Sequence, residues 1–137
     1  MRQMNYAIND KLILAWEEQL QKDGVNIISV GQEYKLVIPT SLLFYANSPR
    51  IQWNSYAILN DIASYLRCFN KVEVKIAGIT EATGNAARDR ALSLNRARSV
   101  DNYFWGQEIG ADFIYIRGYV VSHQPGRLEI SFRSVMI

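Results

Sequence analysis

Gly78-Ile79-Thr80-Glu81-Ala82-Thr83-Gly84, followed by Asp89, Leu92-Ser93, Arg96-Ala97 and Val100, marks the centre of the fold. The run just before it, Val72-Glu73-Val74-Lys75-Ile76, alternates apolar and charged residues, the period of a strand with one wet face. From about Asn85 to Gln107 the spacing becomes helical, with Ala97, Val100 and Phe104 on one stripe and Gly106 or Gly110 near the end. The segment reads as strand, glycine-bounded loop and helix. An acid, Glu81, sits in the loop, and an arginine, Arg96, follows fifteen positions later on the helix.

Upstream, Ile58, Leu59, Ile62, Ala63 and Leu66 predict an amphipathic helix from about Trp53 to Arg67. Before it, Leu42-Leu43-Phe44-Tyr45 is apolar and breaks into the loop chemistry of Asn47-Ser48-Pro49. Val25–Val30 and Tyr34–Pro39 are β-rich runs joined across Gly31-Gln32, which predicts a hairpin, and Pro39 ends the second run. A short leading helix is expected from about Asp10 to Lys22, carrying Leu12, Leu14, Ala15 and Leu20 and ended by Asp23-Gly24. Downstream, Phe113–Arg117 and Arg127–Phe132 predict two closing strands.

The order β, α, β, α, β, β predicts an α+β sandwich with two long helices on one face of a mixed sheet. Residues 1–34 form an N-terminal helix and hairpin extension in this reading, and 35–137 the main domain.

A chain of 137 residues, 49% hydrophobic and 20% charged, has the balance of one ordinary globular domain. The formal charge of +2 comes without any long Lys/Arg run, so no nucleic-acid partner is expected. Cys68 is the only cysteine and His123 the only histidine, and they lie far apart in sequence, so no internal disulfide, metal site or cofactor is expected. Catalysis is not expected either: no serine sits in an elbow motif, and nothing pairs Glu81 with Asp89 as acid and base. The N-terminus lacks the apolar core of a signal peptide and no segment is long enough to span a bilayer, so any membrane association would run through a lipid anchor outside this chain.

Helical geometry sets Asp89 and Arg96 on one stripe, ~10 Å apart along the axis, with Leu92 beside them. Long side chains lean toward the helix N-terminus, which carries the Arg96 guanidinium back toward the loop that holds Glu81. Arginine holds a carboxylate through a planar fork, and a glutamate is a natural partner for an ammonium group. Such a pair could grip a zwitterion; the plainer alternative is that Glu81 and Arg96 pair with each other or with solvent.

The framework resembles the OmpA-like peptidoglycan-binding domains, whose pattern runs Gly-His-Thr-Asp-x-x-Gly and, after a short variable run, Asn-x-x-Leu-Ser-x-x-Arg-Ala-x-x-Val. Gly78, Thr80, Gly84, Leu92, Ser93, Arg96, Ala97 and Val100 follow it without insertion or deletion. Leu43-Phe44 through Asn47-Ser48 resembles the family's lead strand and its loop, and the likeness runs from about Leu36 to Phe132.

The resemblance implies non-covalent, non-catalytic anchoring to the diaminopimelate residue of the peptidoglycan stem peptide. The motif acid and arginine fall on Glu81 and Arg96, with Thr80, Asp89, Asn47 and Arg127 around them. Where the family carries His, Asp and Asn, this chain has Ile79, Glu81 and Asp89. Its C-terminal loop, Val120–Gly126, is short, and of the family's Asn-Arg-Arg-Val-Glu only Arg127 matches among the arginines.

Two readings follow from the resemblance. One is an envelope anchor that binds peptidoglycan in the periplasm, associated with the outer membrane. The other is a structural subunit of a secretion-system envelope complex with a weakened pocket, similar to small lipoproteins of type IVB secretion systems.

Overall fold

A computed structural model describes residues 2–135, with side chains from residue 9 onward. Its elements run α1 (Arg2–Asp23), β1 (Asn26–Val30), β2 (Glu33–Pro39), α2 (Tyr56–Leu66), β3 (Glu73–Glu81), α3 (Ala86–Trp105), β4 (Phe113–Val121) and β5 (Arg127–Arg133). The five strands form one mixed sheet in the order β1-β2-β5-β3-β4. β3 and β4 are parallel, and β5 runs antiparallel between β2 and β3.

Alternation along each strand decides which face is covered. Leu36, Ile38, Val74, Ile76, Leu128 and Ile130 are buried in one cluster with Leu59, Ile62 and Leu66 of α2 and Ala97, Val100 and Phe104 of α3. The intervening residues, Lys35, Glu73, Lys75 and Glu129 among them, line the opposite face, which no described helix covers. All three helices lie on the first face.

The β1–β2 hairpin turns at Gly31-Gln32 with Val30 opposite Glu33, and only Gly31 has positive φ (61°), the pattern of a type II′ turn. α1 stops at Gly24 (φ 98°), where Gly24 N donates to Gln21 O at 3.1 Å and Val25 N to Leu20 O at 2.9 Å. These two bonds, with Leu20 and Val25 buried beneath them, make a Schellman cap.

α1 begins earlier than the sequence pattern predicts, and its inward stripe is Ile13, Trp16 and Leu20. Leu12 and Leu14 are about half exposed, 48% and 59%. The expected Leu43-Phe44 strand is also corrected. Thr40–Leu42 is a 3-10 turn, Phe44 makes one isolated bridge to Ile51, and the lead strand of the sandwich is β2, the second arm of the hairpin.

α3 packs unusually close to the sheet. Gly78 and Gly118 are register partners on adjacent strands, and a Cβ on Gly78 would stand 1.9 Å from Ser93 O. One on Gly118 would stand 2.6 Å from Ser93 Oγ and 2.8 Å from Leu94 N. The paired glycines form a trough that receives the helix backbone at Ser93-Leu94.

Lys71 fastens the far end of the core. Its buried Nζ donates to Leu66 O at 2.6 Å, to Phe69 O at 3.2 Å and to Ile109 O, joining the end of α2 to the turn before β4. Burial lowers its pKa to about 8.

Candidate functional site

The trough fixes the depth of α3, and Arg96 lies about one turn beyond the seated Ser93. Its side chain is 7% exposed. Nε donates to Ser48 O at 3.0 Å, and the guanidinium carbon lies 5.4 Å from the centroid of the Phe44 ring. Ser99 Oγ, a turn later, donates to Pro49 O at 2.8 Å, so α3 holds the 44–52 loop at two nearby carbonyls.

That loop is tied internally as well. Tyr45 N donates to Arg50 O, Ser48 N to Tyr45 O, and Gln52 reaches Leu43 O through its backbone and Phe44 O through its side chain, the last at 2.7 Å. Asn47 takes the left-handed conformation (φ 55°), which asparagine tolerates better than most residues.

Among the described residues no carboxylate lies within 4.0 Å of the Arg96 guanidinium. Desolvation draws its pKa below the usual arginine value, yet a guanidinium stays protonated near neutrality. The result is a buried cation with one carbonyl and one aromatic face as partners, at the wall of an open pocket of about 480 Å³. Thr40, Phe44, Tyr45, Gln52 and Gly126 also line it, and no acidic residue does. Chemically, a guanidinium so placed can pair with a carboxylate or another planar anion.

The other predicted residues are placed variously. Asp89 is 2% exposed and accepts from Thr83 N at 2.8 Å and Thr83 Oγ1 at 2.7 Å. The Thr83 backbone and side-chain hydrogen bonds hold its pKa below the usual carboxylate value. Asp89 therefore clasps the β3–α3 loop and leaves Arg96 unpaired. This contribution to folding is present above the ordinary carboxylate pKa and is lost as pH falls through the lowered value.

Thr80 is buried on the α3 side of β3, and its Oγ1 finds no partner among the described residues. Asn47 is exposed beside Ser48.

Two expectations are corrected. Glu81 is not in a loop: β3 runs through Gly78 to end at Glu81, opposite Val121, and strand alternation turns its exposed side chain away from the face that carries Thr80 and α3. Arg127 does not form a pocket wall. It lies on the open sheet face, bonded to Glu129 at 2.8 Å and Gln124 at 3.3 Å, while its neighbour Gly126 lines the pocket.

A Cβ on Gly126 would come within 2.9 Å of Thr40 Oγ1 and 3.2 Å of Ile79 O. Phe44, Thr40, Gln52 and Gly126 were not evident as site residues. Only the loop signal Asn47-Ser48 pointed to this wall, since no spacing rule announces an aromatic face under an arginine. The described residues contain no cluster of His, Cys, Asp and Glu that could hold a metal ion.

Comparison with known proteins agrees with this architecture. No curated protein matches the chain by sequence. An outer membrane protein of Borrelia burgdorferi B31 superposes with TM-score 0.66 at 25% identity, covering 82% of this chain and 99% of that one. The cell wall anchor of the T6SS of Pseudomonas aeruginosa gives 0.68 at 18% identity over 90% and 95%. The periplasmic domain of Helicobacter pylori MotB (residues 78-256) gives 0.69 at 20% identity over 82% and 83%. The sequence profile of the OmpA family matches residues 43–125, from the Arg96 loop to the turn that closes the pocket, and the chain belongs to that family.

Proposed function

We propose that the domain is a non-catalytic anchoring module of the periplasm that holds the stem peptide of peptidoglycan by its diaminopimelate carboxylate. The observation that carries this reading is Arg96, buried beside an open pocket with no carboxylate within 4.0 Å among the described residues. The Ser48 carbonyl and the Phe44 ring offset only part of the dehydration of this charge, and an arriving anion would supply the missing partner. Thr80, with its free hydroxyl, and Asn47, in the loop over Arg96, are the proposed auxiliary contacts. Asp89 serves the site indirectly, by holding the β3–α3 loop through Thr83, and the proposed site leaves out Glu81, whose side chain turns off the α3 face, and Arg127, which lies on the open sheet face.

The family membership, and the T6SS cell wall anchor among the structural neighbours, support an envelope role. Attachment to the outer membrane through a lipid anchor, and partnership with subunits of an envelope complex, belong to the same proposal.

Titration calorimetry with a diaminopimelate-containing tetrapeptide is the test. Saturable binding is expected. Arg96→Ala should abolish it with little change in thermal unfolding, because removal of an unpaired buried charge offsets the lost packing of the arginine stem. Absence of saturable heat with the intact protein would overturn the reading.

A second reading, a structural subunit of a secretion-system envelope complex with little affinity for the wall, draws on the outward side chain of Glu81. It predicts that cell-wall sacculi fail to co-sediment the domain.

A further inference from the structure

β4 is the edge strand at one side of the sheet, and its free edge can be read residue by residue. Phe113 N donates to Val72 O at 3.1 Å, and Val121 O accepts from Ala82 N at 2.8 Å. The odd-numbered residues of β4 therefore direct their backbone groups toward the β3 side. By strand alternation Ile114, Ile116, Gly118 and Val120 direct their N–H and C=O groups outward. One of these outward groups has a side-chain partner: Arg117 Nη1 donates to Ile116 O at 2.9 Å, folding the guanidinium over the edge.

The same strand carries an exposed apolar stripe on the open sheet face. Phe113 is 56%, Tyr115 39% and Tyr119 51% exposed, and the Phe113 and Tyr115 rings are stacked at 6.3 Å. Edge strands of isolated domains are usually blunted by prolines, bulges or several charges. β4 has no proline, spans nine residues and has one charge, Arg117, with no carboxylate within 4.0 Å among the described residues. An open ladder and an aromatic stripe are the elements of a strand-addition site, and Arg117 at its centre adds a preference for an acidic partner.

We propose that the outer edge of β4 pairs with an extended segment of a partner protein carrying an acidic residue flanked, two positions either side, by apolar residues. The acid draws Arg117 off the Ile116 carbonyl, the freed ladder closes on the incoming strand, and the apolar residues cover Tyr115 and Tyr119, two positions either side of Arg117. Charge selects this occupant over a second copy of the chain. β4 contains no acidic residue, so self-pairing supplies no counter-charge to Arg117. The site is separate from the Arg96 pocket.

The test uses the isotopically labelled full chain and capped peptides of alternating valine and threonine with a central aspartate. Saturable amide shifts and slowed exchange are expected at Ile114, Ile116, Gly118 and Val120. A central lysine should weaken binding about tenfold, the scale of a lost charge-assisted contact. Arg117→Glu, at an exposed site, should invert that preference, and N-methylation of the peptide's pairing amides should abolish binding. Arg96→Ala should leave all of this unchanged. Equal affinity for both charge variants, or no saturable shift with either, overturns the proposal. So does a dimer in sedimentation whose β4 amides are already protected without peptide, which would give the edge to a second copy.

Discussion

At Arg96 the guanidinium gives up most of its water for a single backbone carbonyl and the face of Phe44. Arg96→Lys separates charge from geometry: the compact ammonium keeps the charge and loses the fork, so affinity for a stem-peptide carboxylate should fall about tenfold in calorimetry. Lys71 shows the opposite solution to burial, with three carbonyls around its three donors. Lys71→Met should cost about 2–4 kcal/mol in denaturant unfolding, since those carbonyls lose their partner inside the core. Arg96 was legible in the sequence because it belongs to a spaced motif. Lys71 was not, because its partners are backbone atoms brought from two separate turns. Asp89 was half legible: its place on the Arg96 stripe was clear, but the competing donors on Thr83 lie in the loop, where helical spacing has no bearing.

Among the elements, α3 and its trough govern the rest. Gly78→Ala would put a methyl group where Ser93 O now stands, so the helix would have to rise from the sheet. The expected cost is about 3 kcal/mol, measured by chemical denaturation, with loss of stem-peptide binding as Arg96 moves from the Ser48 carbonyl. Gly78 looked from sequence like the border of a loop. Its structural task, close approach of a helix to a parallel strand pair, depends on Gly118, distant in sequence, and no local pattern joins the two. The strands themselves were largely legible, because their alternation is local. The lead strand was displaced onto Leu43-Phe44, since a short apolar run reads alike as strand or buried turn.

α1 is held to α2 by Tyr65, whose buried hydroxyl donates to Glu17 Oε2 at 2.6 Å. Tyr65→Phe should cost about 1.5 kcal/mol and raise the exchange rates of α1 amides before those of the sheet.

Over the whole molecule, pH acts where α1 ends against α2. Burial raises the Asp61 pKa from 3.8 to about 6, and the neighbouring Asp23 carboxylate adds to the rise. The folded chain keeps this proton to higher pH than the unfolded one does. The favourable contribution is therefore complete below the unfolded value and is lost as pH rises through about 6. Asp61→Asn should flatten that part of the stability profile and stabilise the protein above pH 7 by about 1 kcal/mol, a figure that allows for solvent screening of a partly exposed group. Unfolding curves collected across pH for the two proteins check it.

The Arg96 pocket is assembled from the turn after β2, the middle of α3 and the turn before β5, so its walls come from segments remote in sequence. It exists only once the last strand has entered between β2 and β3. In the unfolded chain Arg96 is one hydrated arginine among many; closure of the sheet gathers the pocket walls around it. On the proposed function, ligand affinity and folding are one linked equilibrium: saturating stem peptide should raise the unfolding temperature, and a chain that binds the wall should be one whose last strand is in place.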